Sequence, residues 1–368
     1  MIFISPSART LRSPYYQSTI DDGVASFTLY NSMFLPTSFG NPEAEYWRLI
    51  NGVSLWDVAV QRQVQLKGRD AAKLAQILCP RNISNMRIGQ GKYIPLCNHS
   101  GVLINDPVLL KIDEDCFWFS IADSDVWLWA RTINNERQLD VEISEPSAAP
   151  LAIQGPKAEM LVADICGEWV KDLKFFWFKH FEIDGIPILV ARSGYSKQGG
   201  FEFYLLDKTK GTKLWNYIKE AGKKYDISAG CPNLSERVES GLLSFGGDTD
   251  HLTNPFEIRL GDYVDLSLEG DIIGLSALKK IHQEGPKRHQ LGAVFEDETS
   301  NSSPIFEWMP ITHKEKQVGS LTNRTWSYKL ERVIGFALVS REVVAGDHIM
   351  IETEAGLKEA KLVDLPFV

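Results

Sequence analysis

From about residue 286 onward the chain breaks into short runs separated by turns: "QLGAVFE", "PITH", "KQVGSL", "VIGFALV", "HIMIETE" and "KEAKLVDLPFV". Runs this short and this closely spaced bury their apolar faces only by closing on one another, as a small β-barrel or jelly roll does. The preceding part has another texture. "RQVQLKG", "DCFWFSIAD", "KHFEID" and "IPILVARSG" read as strands, whereas "RDAAKLAQIL", "SDVWLWARTINNE" and "KLWNYIKEAGKKYDI" read as helices. In "APLAIQGPKAEMLVADI" a strand runs to Gly155 and Pro156 is expected at the first helical position. "NLSERVESGLLSFGGD" reads as a capped helix with Val238, Leu242 and Phe245 on its apolar face and Gly246-Gly247 as its stop. This irregular alternation implies an α+β fold rather than a doubly wound sheet. The expected division is 1–280 as an α+β region and 281–368 as the β-rich domain.

Charge and composition narrow the function. A net charge of −9 with no basic block argues against nucleic-acid binding, so any anionic ligand must be held by a few placed cations. The cysteines, Cys79, Cys97, Cys116, Cys166 and Cys231, are odd in number and scattered, and read as reduced thiols. Neither they nor the histidines have metal-ligand spacing, so no metal is expected. No G-x-G-x-x-G links a strand to a helix, so neither a flavin nor a nicotinamide is expected. No apolar run approaches the ~18 residues of a membrane span. The N-terminal "MIFISPSARTLRSPYYQST" has the Arg and Ser of a transit peptide, but its apolar run is short and it lacks an amphipathic stripe, so a cytoplasmic protein is expected.

The stretch "ARSGYSKQGGFEFYLL" turns from loop to strand. Phe201, Phe203 and Leu205 fall on one face, and Glu202 and Tyr204 on the other. On a solvated face Glu202 would be an ordinary surface charge.

Six motifs then occur in a recognisable order: "GVLINDPVLL", "LAIQGPKA", "GYSKQGGFEF", "ERVESGLLSFGGD", "NPFEIRLG" and "DIIGLSAL". From about residue 20 to its end the chain resembles the tetrahydrofolate-dependent aminomethyltransferases, the T-protein of glycine cleavage and its relatives. The resemblance implies a three-domain cloverleaf around a central hole for the folate, with two interleaved domains in 1–280 and a C-terminal β-barrel. It also implies that Glu202 points at the pterin ring. A carboxylate accepts two parallel hydrogen bonds, which is what a 2-aminopyrimidinone edge donates. The adjacent glycines would let backbone approach the flat ring, and Tyr204 would pack beside the ligand. Arg237 matches a folate-contacting arginine; the bland alternative is a helix-surface pair with Glu236 or Glu239. Tyr93 and Tyr195 are aromatic candidates for the folate slot, or else core.

One position departs from the family. T-proteins carry two consecutive acids after the Gly-rich turn, the first of them activating the aminomethyl substrate; here the pair is Asn105-Asp106. A sulfonium donor has no need of that acid, because it expels a neutral thioether and requires positioning rather than a proton. The stretches around Tyr30, "LKFFWFKHFEIDG" and "VARSGYSKQGGFEFY" resemble a branch of the family that demethylates dimethylsulfoniopropionate onto tetrahydrofolate. On that reading aromatic faces at Tyr30 and Trp177 hold the sulfonium, Lys197 pairs with the substrate carboxylate, and Asp106 orients substrate or folate. The partners are then small molecules, with no nucleic acid or membrane, and a homodimer is compatible with the sequence. A glycine-cleavage aminomethyltransferase, an iron–sulfur assembly relative and other folate-linked O- or N-demethylases are the alternatives. The assembly relatives carry a reactive Cys in the region matching "DIIGLSALKK", and none occurs here.

Overall fold

In a computed structural model, which describes residues 7–296 and 307–368, three of the expected strands, Phe178–Ile183, Ile186–Ala191 and Gly200–Leu205, follow one another as an antiparallel meander. Its first turn, Asp184-Gly185, has φ of 48° and 71°, the doubly positive pair that a tight hairpin requires. The meander continues through Ala149–Gln154 and Ser54–Asp57 to Ser228–Gly230, making a six-stranded sheet in which only the last pairing is parallel. Helices Ala158–Cys166 and Gly211–Gly222 pack Leu161, Val162, Leu214, Trp215 and Ile218 against Phe201, Phe203 and Leu205 on one face. The other face is also covered. Tyr204, Leu189 and Ala191 meet Leu110 and Trp118 from a five-stranded sheet built on Gln63–Lys67, Cys116–Ser120 and Val108–Asp113. A strand buried on both faces has no solvent side, and Glu202 is 5% exposed.

These elements belong to the first of two compact units, which comprises Met1–Ala75, Asn85–Lys92 and Pro107–Asn233. The second comprises Gln76–Ser84, Tyr93–Asp106 and Leu234–Val368. In the second unit the C-terminal strands form a seven-stranded sheet in which Arg288–Phe295 pairs with both Gly356–Val363 and Arg332–Ser340, closing the expected barrel. Its interior is Ala293, Phe295, Ile311, Leu321, Ala337, Val339, Ile351 and Leu362.

Two helix expectations are corrected. The helix after Gly155 begins at Ala158, so Pro156 lies in the preceding turn. The helix expected to reach Gly246 is only Leu234–Glu239. Gly241 takes φ +70°, Leu242 N–H donates to Arg237 O at 2.8 Å and Gly241 N–H to Val238 O at 3.1 Å. That Schellman closure ends the helix, so Leu242 and Phe245 lie beyond it. All five cysteines are buried free thiols, and among the described residues no helix is long and apolar enough to cross a membrane.

Candidate functional site

In the first unit, Glu202 stands opposite Ala152 on one neighbouring strand and Ala191 on the other. Both cross-strand neighbours of the carboxylate are thus alanines, the smallest side chains that still pack in a core. The Ser193 hydroxyl donates to Glu202 Oε2, while Oε1 has no hydrogen-bond partner among the described residues. Burial raises the Glu202 pKa, and the Ser193 hydrogen bond opposes that rise. A carboxylate this far out of water is costly unless its oxygens find donors.

The glycines before Glu202 serve a purpose that the sequence reading did not find. Gln154, fully buried in "LAIQG", sends Nε2 to the carbonyls of Ser193 at 3.2 Å and Phe201 at 3.4 Å, and its Oε1 accepts from Ser196 Oγ at 2.7 Å. A Cβ on Gly194 would lie 2.0 Å from Gln154 Nε2, and one on Gly200 would lie 2.4 Å from Ile153 O. Gly194 and Gly200 are therefore small because the amide of Gln154 occupies the inside of the loop. Gly199, with φ +80° and open space around it, makes the turn itself.

The aromatic candidates separate. Tyr204 is 1% exposed and enclosed by the core around Trp118, which corrects its placement beside a ligand. Tyr195 is half-buried and Lys197 exposed within the Gln154-pinned loop. Tyr30 is half-buried at the end of strand Ser26–Tyr30, against the large core. Trp177 is half-buried just before strand Phe178–Ile183, and the Arg87 guanidinium lies 5.4 Å from its ring centroid. One face of that indole thus already carries a cation.

In the second unit, the Tyr93 hydroxyl donates to Asp106 Oδ2 at 2.7 Å. Asn105 beside it is fully buried at the end of strand Leu103–Asn105. Burial pushes the Asp106 carboxyl up to about 7; the nearby Asp248 charge adds to this, and the Tyr93 hydrogen bond opposes it. Asp248, fully buried, binds Arg237 Nη1 at 2.8 Å and accepts from Ser244 N at 2.8 Å and Thr322 Oγ1 at 3.0 Å. Arg237 also donates to Leu242 O and lies over the Phe336 ring. It is a buried, charge-paired group facing inward, and the helix-surface alternative is excluded.

Two family models span nearly the whole chain: the GCVT N-terminal domain matches residues 16–267, and the glycine cleavage T-protein C-terminal barrel domain matches 288–368. The chain belongs to the glycine cleavage T-protein family. Among its relatives are the dimethylsulfoniopropionate demethylase of Ruegeria pomeroyi, 39% identical over 97% of each chain, and an aminomethyltransferase of Thermoanaerobacter sp., 30% identical over 86% of each. The crystal structure of the glycine cleavage system aminomethyltransferase T from Bartonella henselae shares the fold, with a TM-score of 0.85 at 21% identity over 97% of this chain and 98% of that one.

Gln154, Ser193, Asp248 and Arg87 were not singled out from the sequence. Gln154 and Asp248 do lie inside two of the T-protein motifs, "LAIQGPKA" and "ERVESGLLSFGGD", and that was the available signal. Ser193 likewise lies inside "VARSGYSKQGGFEFY", whereas Arg87 had no such signal, since only folding brings it to Trp177.

Proposed function

We propose that this T-protein family member is a tetrahydrofolate-dependent methyltransferase that demethylates dimethylsulfoniopropionate, giving methylmercaptopropionate and 5-methyltetrahydrofolate. The observation that carries this reading is the 39% identity over 97% of both chains to the demethylase of Ruegeria pomeroyi, well above the 30% to the aminomethyltransferase. Asn105 in place of the first acid agrees with it, because an amide cannot serve as the base that an aminomethyl donor requires.

Tetrahydrofolate supplies, when bound, the N5 lone pair that accepts the methyl group. The residues present suit that partner: Glu202 has one oxygen stabilised by Ser193 and a second that carries no hydrogen bond from the described residues, so its carboxylate can accept two parallel donors from a pterin edge. Tyr195 and Lys197 ride on the Gln154-pinned loop, the one as a flat contact for folate and the other as a cation for the donor's carboxylate. Trp177 and Tyr30 present aromatic faces to a sulfonium, which has no N–H to donate. Arg87 over one face of Trp177 leaves the other for the donor.

In the second unit Tyr93 contributes to folate binding, Arg237 carries a guanidinium fixed by Asp248, and Asp106 orients a ligand through a carboxyl whose other partner is Tyr93. The chemistry needs no proton at the leaving sulfur. Holding N5, methyl carbon and sulfur in line contributes up to ~7–11 kcal/mol.

The same reading places the protein in the cytoplasm, in keeping with its buried free thiols, with small molecules as partners and a boundary near residue 281, in the second half of helix Leu275–Glu284 and ahead of strand Arg288–Phe295. Sedimentation analysis decides between monomer and homodimer. The deciding experiment mixes enzyme, tetrahydrofolate and separate methyl donors and follows 5-methyltetrahydrofolate. The sulfonium is expected to react fastest, and faster turnover of an H-protein-bound aminomethyl group would replace this reading with the aminomethyltransferase one.

A further inference from the structure

Arg81 and Tyr263 have no role so far, yet both converge on Tyr93. The Arg81 guanidinium lies 4.8 Å from the Tyr263 ring centroid, and its Nη1 donates to the Tyr93 backbone carbonyl. The Tyr263 ring meets the Tyr93 ring edge-on, with centroids 5.1 Å apart and planes at 88°. Tyr93 is thus held by its carbonyl, by its ring and, at 2.7 Å, by the hydroxyl that donates to Asp106.

We propose that Arg81 and Tyr263 are positioning residues: a guanidinium stacked on a ring that abuts a second ring, fixing the Tyr93 hydroxyl on Asp106. The effect on turnover rests on the functional reading above, whereas the hydrogen bond itself does not. A half-buried tyrosine without that support would swing about its side-chain torsions and spend time bonded to water. Lysine is a poor replacement for Arg81, because its single nitrogen cannot lie flat on the Tyr263 ring and at the same time donate to the Tyr93 carbonyl, as the extended guanidinium does.

The charged neighbourhood makes the brace measurable. Asp106 faces the Tyr93 hydroxyl and the negative charge of Asp248, and Asp248 is paired with Arg237. Arg259 is close enough to feel both Asp248 and Tyr93, and is otherwise bound to Gln290 and Gly241 O. The Tyr93 hydrogen bond is the main influence pulling the Asp106 titration down, so loosening Tyr93 moves that titration upward.

The test is carboxyl NMR of the ligand-free, full-length protein labelled with 13C-aspartate, the Asp106 signal being assigned with Asp106→Asn. Tyr93→Phe, Tyr263→Leu and Arg81→Lys should each raise the Asp106 midpoint by about half a pH unit or more. Tyr263→Phe, which keeps the ring, should restore it. Turnover should follow, its pH inflection moving up in the same variants. An unmoved Asp106 midpoint in Tyr263→Leu or Arg81→Lys overturns the brace, and if the leucine variant fails to fold the lysine variant carries the test. A shifted midpoint with an unshifted turnover profile leaves the brace standing and removes Asp106 from the reaction.

Discussion

At the scale of single residues, Glu202 gathers the most consequence into one carboxylate. Glu202→Ala removes a two-oxygen acceptor from a buried position and should weaken tetrahydrofolate binding by roughly 2–4 kcal/mol; calorimetry on the folded variant checks this, and unchanged affinity would sink the assignment. Asp57 gives a stability prediction instead. It is 1% exposed, accepts from Ser13 Oγ and the Ala59 amide, and burial pushes its pKa up to about 7 from an ordinary 3.8. A raised carboxyl pKa means that folding favours the protonated form. The stabilisation is therefore complete below the ordinary value and is lost as pH rises from there to about 7, by up to roughly 1.4 kcal/mol per pH unit within that window and no further above it. Asp57→Asn cannot ionise, so its melting temperature should fall less than the wild type's between about pH 5 and about pH 7. The alternation in "GGFEFYLL" was enough to put Glu202 and Tyr204 on one face. It could not reveal that this face is covered by another sheet, because Glu202 interrupts the continuous apolar run by which a strand buried on both faces is recognised. That is why Tyr204 looked like a ligand contact and is instead core.

At the scale of elements, the Gly-rich loop and the strand end at Gln154 make one device. Gln154→Ala would leave the Ser193 and Phe201 carbonyls and the Ser196 hydroxyl without that partner, and should cost about 1–3 kcal/mol. Hydrogen exchange should rise across 193–201, and the donor KM should rise with it, since Lys197 and Tyr195 ride on the same loop. The glycines should separate in a second experiment: Gly200→Ala meets Ile153 O at 2.4 Å and should destabilise severely, whereas Gly199→Ala meets nothing and should lose only ~1 kcal/mol of backbone preference. Thermal melts of the two variants distinguish them. The meander, the two long helices of the first unit and the barrel strands were legible because each carries a clean period and an end signal. The helix at Leu234–Glu239 was misjudged in length because Leu242 and Phe245 continue the apolar spacing past Gly241, and only the positive φ there shows that the chain has already turned. The brace from Arg81 through Tyr263 to Tyr93 was not legible at all, since its members lie in segments that nothing in the sequence joins.

At the scale of the whole molecule, six ordered motifs were enough to identify the family before any fold was known, whereas the setting of Asp248 depends on distant chain. Thr322 and Asn323 both donate to Asp248, which in turn holds Arg237. Removing residues 288–368 should therefore release Arg237 as well as delete the barrel, and the shortened chain should bind folate weakly and melt without a sharp transition by circular dichroism. The second unit is threaded from Gln76–Ser84, Tyr93–Asp106 and Leu234–Val368. A ribosome delivers Tyr93 and Asp106 long before the residues that complete their surroundings: Cys97 and Leu103 pack against Leu243, Ile258, Leu278 and Leu338. During synthesis those early apolar side chains must wait uncovered in the nascent chain. Yield in a foreign host should thus depend on growth temperature and on chaperone supply, even for variants whose finished fold is as stable as the natural one.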